Sequence, residues 1–302
     1  MIKLPSGLEI KNLIDDLRIF SWEACETLLF YSQILKESHY KSNILENDNY
    51  DDPVTLADLK VNELIINRIN EKYKEVDWNI LSEENAKLNF LNSNSDAEWL
   101  WILDPLDGTK DFIQGTNNYA MHLALNYKQK PFIGIVLIPE RDELWIADGE
   151  QVWCEKKNGP VIRPNLSKNK SLEEMVLVTS KNHKNENLNN LIEKIQFNEV
   201  KVMGSIGCKI ASILRGESDV YISLSLPGQS SPKDWDLAAP EIILKAAGGA
   251  ITNLDNKDLV YGESKFEHNG IIVASSNIKT HKDICLELKE IIHKNQIYPL
   301  KC

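Results

Sequence analysis

WILDPLDGTKDF, the stretch from Trp101 to Phe112, joins a short apolar run to two acids, a proline and a glycine. The apolar run contains aromatic and β-branched residues, which predicts a buried strand that ends at the proline and glycine. A turn of this kind needs one aspartate, yet this one carries Asp104 and Asp107 on either side of Leu106. Two acids at the end of a buried strand predict a functional site.

The chemistry of this turn suits a hard divalent cation. Short carboxylates on a tight turn can converge on one point, and the Leu106 carbonyl can add a further oxygen. Glu83 and one aspartate from the far half of the chain would complete the oxygens that a two-metal site requires. Gly108 lets a phosphate approach the amides of the helical segment that follows it. We therefore expect magnesium at this turn.

Three other acidic clusters each have a purely structural explanation. The TLAD segment at Thr55–Asp58 has the spacing of a capping box at a helix start. The acids of LSEEN at Leu81–Asn85 are consistent with loop charge. Those of DWD at Asp234–Asp236 suit the N-terminus of the next helix, where exposed amides favour carboxylates. Taken one at a time, these segments leave the structural and functional interpretations open.

Composition restricts the class of protein. A chain of 302 residues with 42% apolar residues can bury a large core. Its net charge of -11 without a visible basic face argues against nucleic-acid polymers as partners. We expect no membrane partner and a cytoplasmic location, because there is no apolar run of about 20 residues and no signal-peptide pattern. Reduced thiols are expected because the cysteines are scattered and odd in number: Cys25, Cys154, Cys208, Cys285 and Cys302.

Periodicity predicts two parts that differ in their order of elements. Helices are expected over about 8–35 and 55–73, and a mainly antiparallel sheet over 99–154. From about Val176 to His293, strands and helices alternate, which is typical of an α/β layer. We expect an α+β domain at 1–165 with most of the metal ligands, and an α/β domain at 166–302 with Asp236 and the substrate-recognition segment.

The ordered motifs resemble a known superfamily over nearly the whole chain. In order they are DPVTLAD, LSEEN, WILDPLDGTKDF, MGSIGCKI, SPKDWDLAAPEIILKAAGG and GIIVASS. The set resembles the superfamily of magnesium-dependent, lithium-sensitive phosphatases that contains inositol monophosphatase. Its fold is the one also found in fructose bisphosphatase. The resemblance implies a layered α/β/α/β/α sandwich. LSEE, Lys110 and Lys209 look most like 3'(2'),5'-bisphosphate nucleotidases of the CysQ type, a family of sulfur metabolism.

The resemblance also implies roles for individual residues. Two or three Mg²⁺ ions would be held by Glu83, Asp104, the Leu106 carbonyl, Asp107 and Asp236. Asp58 and Thr109 would orient and activate the attacking water, which agrees with the acid–base chemistry of a hydroxyl beside a carboxylate. Substrate contacts are expected from Gly108, Thr109, Ser205, Lys209 and Asp236.

Some positions in the second half have competing interpretations. Ser205 and Lys209 follow a predicted strand and begin a helix, which suits a second phosphate, but Lys209 also fits a surface helix position. Ser223 stands where bacterial and yeast nucleotidases tend to carry arginine. This difference argues against a contact between this position and the base of a nucleotide. His122 is expected to be a packing histidine. The tryptophans at strand positions are expected in the core: Trp99, Trp101, Trp145 and Trp153.

Three functions compete at this point. The first is hydrolysis of the 3'-phosphate of adenosine 3',5'-bisphosphate, with its sulfated relative as a second candidate substrate, to AMP or adenosine 5'-phosphosulfate. The second is a phosphatase for inositol monophosphate or another sugar phosphate. The third is a non-catalytic metal- or phosphate-binding module, which would not need Asp58 and Thr109. The first is preferred, with a small-molecule phosphate as partner and a monomer or homodimer as the assembly.

Overall fold

A computed structural model describes residues 2–37, 55–88, 98–167, 169–181, 185–263 and 265–299. The helices are α1 (Ile10–Lys36), α2 (Leu56–Lys72), α3 (Glu83–Leu88), α4 (Thr109–Gln114), α5 (Glu186–Ile195), α6 (Ile206–Leu214), α7 (Asp234–Ala246) and α8 (Ile278–Lys294). The strands are β1 (Asn79–Ser82), β2 (Trp99–Asp107), β3 (Ala120–Tyr127), β4 (Lys130–Ile138), β5 (Glu143–Ala147), β6 (Val152–Glu155), β7 (Val176–Ser180), β8 (Glu199–Met203), β9 (Val220–Ser225), β10 (Ala250–Asn253) and β11 (Gly270–Ser275).

The first sheet has six strands in the order β1-β2-β3-β4-β5-β6. From β2 to β6 the neighbours are antiparallel, as the sequence predicts, whereas β1 pairs with β2 in parallel. The pattern missed β1 because it is only four residues long and lies between a helix and the acids of LSEEN. The register between β2 and β3 shifts between Asp104 and Asp107, where Pro105 has no N–H to offer the ladder.

Five layers follow from how the helices cover the two sheets. α1 and α2 share one apolar core with the first sheet. The second sheet, in the order β10-β11-β9-β7-β8, shares another core with α5 and α8. Between the sheets, α6 and α7 pack against both of them in a third core. The predicted α/β/α/β/α sandwich is therefore confirmed.

The tryptophans and thiols lie mostly in the interior. Trp99, Trp101 and Trp145 are buried, and Trp153 is partly buried against the core that contains Trp99 and Trp101. The thiols that are described are free and buried, while Cys302 lies outside the described residues. Within the described ranges, no helix is both long enough and apolar enough to span a bilayer. The domain boundary near residue 165 and the cytoplasmic location stay predictions.

Candidate active site

Three carboxylates from distant parts of the chain meet at one place. Asp104 and Asp107 lie at the irregular end of β2, and Asp236 lies in the first turn of α7, where its Oδ2 accepts the Lys233 N–H at 2.6 Å. One oxygen from each of Asp104, Asp107 and Asp236 lies within 4.8 Å of the others. The sandwich therefore brings both predicted halves of the acidic site together.

The electrostatics of this cluster favour a cation. Burial raises the pKa of Asp104 well above its usual value, and the charges of Glu83, Asp107 and Asp236 raise it further. Burial and the charges of Asp107 and Glu83 do the same to the pKa of Asp236. A divalent ion would offset this repulsion, and an all-oxygen donor set suits Mg²⁺. The residues present therefore fit the metal.

Glu83 lies beside the cluster and not inside it. It is the first residue of α3, directly after β1, and its charge raises the pKa of Asp58 as well as that of Asp104. Its Oε1 lies 3.0 Å from Nζ of Lys87, and its oxygens are not among the three that group within 4.8 Å. The role of Glu83 as a metal ligand therefore stays a prediction.

Asp58 caps a helix and also contacts Thr109. Its Oδ2 accepts hydrogen bonds from the backbone N–H of Thr55 at 2.8 Å and from the Thr55 hydroxyl, completing a capping box at the start of α2. Its Oδ1 lies 3.3 Å from the Thr109 hydroxyl oxygen. Burial raises the pKa of Asp58 to about 8, although the Thr55 hydrogen bond opposes the shift. A carboxyl with this pKa can exchange a proton near neutral pH.

Thr109 connects this carboxylate to the turn. Its hydroxyl oxygen lies 3.0 Å from the Leu106 carbonyl oxygen and 3.3 Å from Asp58 Oδ1, so its one proton can be donated to either acceptor. The Leu106 carbonyl, a predicted ligand, therefore lies one hydrogen bond from the predicted water-activating pair.

Gly108 is required by the backbone. Its φ is +90°, and a Cβ there would lie 2.9 Å from the Asn118 carbonyl oxygen and 3.2 Å from the Ser205 amide nitrogen. Glycine is the residue that adopts this conformation without strain. The close approach explains the glycine by packing alone, so its predicted contact with phosphate stays a prediction.

Ser205 and Lys209 occupy the start of α6. The Ser205 hydroxyl caps the helix by accepting the Cys208 N–H at 3.1 Å, and it donates to Asp107 Oδ2 at 2.7 Å. Lys209 is only 2% exposed, so the surface interpretation is wrong. Its ammonium donates to the Ser205 carbonyl at 3.1 Å and lies 5.5 Å from the ring centre of Tyr221. Burial lowers the pKa of Lys209.

Ser223 and His122 also lie close to this region. Ser223 is half-buried on β9 and its hydroxyl interacts with Tyr221, so it faces the same polar region as Lys209. His122 is buried, as expected of a packing residue, but it also contacts the site: its Nε2 lies 3.2 Å from Asp107 Oδ2. The sequence analysis missed this contact, because no local pattern reveals that His122 lies opposite Asp104 in the β2–β3 register.

The chain matches the model of the inositol monophosphatase family over residues 20–293. It belongs to this family. Over 215 residues it is 32% identical to the 3'(2'),5'-bisphosphate nucleotidase CysQ of Buchnera aphidicola, which covers 70% of this chain and 75% of the relative. It is 28% identical over 253 residues to the Nus factor SuhB of Pasteurella multocida, with 81% and 83% covered.

Solved structures support the fold. The Thermotoga maritima IMPase superposes with a TM-score of 0.71 at 22% identity, covering 94% of this chain and 99% of the other. At that identity the likeness concerns the fold alone. The inositol monophosphatase family consists of metal-dependent phosphatases, so the protein is a phosphatase whose acidic cluster is a candidate metal site. A small-molecule phosphate is the substrate class that agrees with this family.

Proposed function

We propose that this member of the inositol monophosphatase family is a Mg²⁺-dependent nucleotidase that hydrolyses the 3'-phosphate of adenosine 3',5'-bisphosphate to AMP and phosphate. The observation that carries the proposal is the convergence of Asp104, Asp107 and Asp236 beside the Asp58–Thr109 pair. The nucleotide as substrate is supported by the 32% identity to a CysQ nucleotidase.

The cation site in this proposal consists of Glu83, Asp104, the Leu106 carbonyl, Asp107 and Asp236, with two or three Mg²⁺ ions. When bound, Mg²⁺ supplies positive charge that polarises the phosphate and acidifies the attacking water. The protein itself places several carboxylates close together. Burial and mutual repulsion raise the pKa of Asp104 and of Asp236. Such a site attracts a dianionic phosphate only with its cations present.

Proton transfer is assigned to Thr109 and Asp58. A water oxygen attacks phosphorus, and the bond between phosphorus and the 3'-oxygen breaks. The proton of that water passes to the Thr109 hydroxyl as the hydroxyl proton moves to Asp58 Oδ1, 3.3 Å away. The 3'-oxygen leaves and takes a proton from solvent. Because burial raises the pKa of Asp58 to about 8, its carboxylate is a competent base near neutral pH.

The remaining phosphate and the nucleoside are assigned to the start of α6 and the adjacent end of β9. Lys209 is the positive side chain there, and Ser205 and Ser223 supply hydroxyls. A buried ammonium beside an aromatic ring suits an anionic group better than a neutral polyol. In the same proposal Gly108 lets the scissile phosphate reach the amides at the start of α4.

A sugar phosphatase is the second candidate. Ser223 is the observation that favours it, because a small hydroxyl there suits a hydroxyl-rich ring and offers no positive charge. Inositol monophosphate would use the same Asp58–Thr109 pair and the same acidic cluster. The two candidates therefore differ only in the region around Lys209, Tyr221 and Ser223.

A substrate panel tests the proposal. Initial rates of phosphate release are measured with Mg²⁺ on adenosine 3',5'-bisphosphate, its sulfated relative, inositol 1-phosphate and fructose 1,6-bisphosphate. The bisphosphonucleotide is expected to give a kcat/KM at least about tenfold above the sugar phosphates, since one added charged contact contributes on the order of 1.4 kcal/mol. A preference for inositol 1-phosphate, or the absence of turnover on every substrate, would overturn it.

A further inference from the structure

His122 is a polar side chain in an otherwise apolar part of the molecule. It lies on β3 and is 0% exposed, with an apolar residue on each side in the chain. Both ring nitrogens nevertheless face polar atoms. Nδ1 lies 3.2 Å from the Trp235 carbonyl oxygen, and Nε2 lies 3.2 Å from Asp107 Oδ2. The Trp235 carbonyl can only accept, so Nδ1 donates to it, whereas Nε2 has no hydrogen-bond partner among the described residues and meets Asp107 as a close contact only. A buried ring nitrogen without a hydrogen bond is unusual, so its position against Asp107 calls for an explanation.

The two contacts join segments that are far apart in the chain. Asp107 ends β2, while Trp235 lies in the first turn of α7, directly before Asp236. One imidazole therefore touches both segments that supply carboxylates to the acidic cluster. The distance between these segments decides whether the oxygens of Asp107 and Asp236 stay within 4.8 Å of each other.

The ring has no room to move. A Cβ added to Gly207 would lie 2.3 Å from His122 Nε2 and 2.8 Å from a methyl carbon of Val136. The start of α6 thus presses on the imidazole from the side opposite the first sheet. A closely packed ring transmits the position of its neighbours, because interiors of this density resist deformation.

The same oxygen of Asp107 receives two more contacts. Oδ2 accepts the Ser205 hydroxyl at 2.7 Å and the Gly207 N–H at 3.1 Å. Together with His122, these groups approach Asp107 from β3 and from the start of α6. The two hydrogen bonds from Ser205 and Gly207 fix the rotation of the carboxylate, and the His122 ring packs against the same oxygen.

We propose that His122 is a positioning residue that holds Asp107 and the first turn of α7 at the separation required for one divalent cation. The inference rests on the proposed metal site. It adds His122, which contacts the proposed ligand Asp107 without being a ligand itself. Removing such a supporting contact typically weakens metal binding by about 10- to 100-fold.

His281 provides a matched control. It is 1% exposed, and its ring nitrogens lie 2.8 Å from the hydroxyls of Ser275 and Thr252. It lies on α8, in the core on the outer side of the second sheet, and its hydrogen bonds join it to Thr252, Ser275 and Cys285, away from the acidic cluster. His281→Asn therefore removes a buried imidazole of similar environment without touching Asp107.

The experiment measures Mg²⁺ binding directly, by titration calorimetry on protein stripped of metal, together with the melting temperature. His122→Asn keeps an amide near the Trp235 carbonyl and withdraws from Asp107, so its Kd for Mg²⁺ is expected to rise by about tenfold or more. His281→Asn is expected to lower the melting temperature and to leave the Kd within about twofold of wild type. If His122→Asn does not fold, His122→Gln, which reaches Asp107 but abandons Trp235, is expected to weaken binding in the same direction.

Wild-type Mg²⁺ affinity in a folded His122 variant would overturn the inference, and so would equal weakening by His281→Asn, since that would indicate general loosening. A wild-type protein that binds Mg²⁺ and turns over the bisphosphonucleotide keeps the proposed function even if the His122 variants bind normally. A wild-type protein that binds no Mg²⁺ refutes both.

Discussion

Asp58 and Thr109 are 51 residues apart in the chain, yet the carboxylate oxygen Oδ1 of the first lies 3.3 Å from the hydroxyl oxygen of the second. The contact exists because α2 begins at a capping box that fixes Asp58, while the left-handed Gly108 starts α4 at Thr109. Both residues thus take their positions from helix starts. The same geometry places a potential base next to a hydroxyl at the edge of three crowded carboxylates.

Thr109→Val tests this pair, because it removes the hydroxyl while keeping the shape of the side chain. We expect kcat to fall by about a hundredfold to ten-thousandfold, the range of general acid–base contributions. The Kd for Mg²⁺ is expected to stay near that of wild type, since the Thr109 side chain is not a proposed ligand. Thr252→Val, at a buried threonine bonded to His281, is the control; an unchanged kcat in Thr109→Val would remove it from the reaction.

Asp107→Asn tests the metal site. The amide oxygen can still accept from Ser205 and Gly207, so circular dichroism and the melting temperature of the metal-free protein are expected to stay close to wild type. Turnover is expected to fall by at least about a hundredfold. The Asp107 carboxylate would help to bind Mg²⁺, and the metal would stabilise the charge of the transition state by several kcal/mol. Activity near that of wild type would exclude Asp107 from the site.

Lithium tests the family's arrangement of metals. The resemblance to lithium-sensitive phosphatases implies inhibition in the submillimolar to millimolar range through competition at one Mg²⁺ position. Initial rates at several Mg²⁺ concentrations measure it, with potassium chloride at equal ionic strength as the control. Insensitivity to lithium would contradict the implied arrangement.

Gly207→Ala tests the contact between α6 and the imidazole. Alanine normally stabilises a helix relative to glycine by roughly 1 kcal/mol, but here the added carbon would lie 2.3 Å from His122 Nε2. We expect the sign to reverse, with a loss of about 1 to 3 kcal/mol from overpacking. Urea unfolding measures the change; a more stable variant would show that the ring yields easily.

His281 gives a pH dependence with a definite sign. Burial lowers the pKa of His281 from 6.5 to about 4 in the folded protein, whereas the unfolded chain keeps the ordinary value. The unfolded state therefore binds more protons between these values, so stability is complete above about pH 6.5 and is lost as pH falls through about 4. The loss amounts to roughly 3 kcal/mol. His281→Asn should flatten this part of the curve of unfolding free energy against pH; an unchanged curve would contradict the assignment.

The local pattern of the sequence determined most elements and the residue types of the site. Short-range periodicity and turn chemistry are enough to predict three features directly. These are the apolar stripe of α1, the strand before DPLDGT and the alternation of strands and helices after Val176. The types of the candidate ligands followed from the same local reasoning, because crowded short carboxylates suit a hard cation in any fold. The strand β1 was not predicted, because four residues are too few to show a strand periodicity.

Tertiary structure alone decided which of those groups meet. Asp236 reaches Asp107 because α7 lies between the sheets, and Lys209 is buried because α6 lies there too. No local pattern distinguishes His122 as a packing residue from His122 as a neighbour of Asp107, since that contact requires β3 and the starts of α6 and α7 to be assembled. The periodicity of a segment shows which of its residues face the core. The distance between side chains that are far apart in the chain depends instead on how the layers of the sandwich pack together.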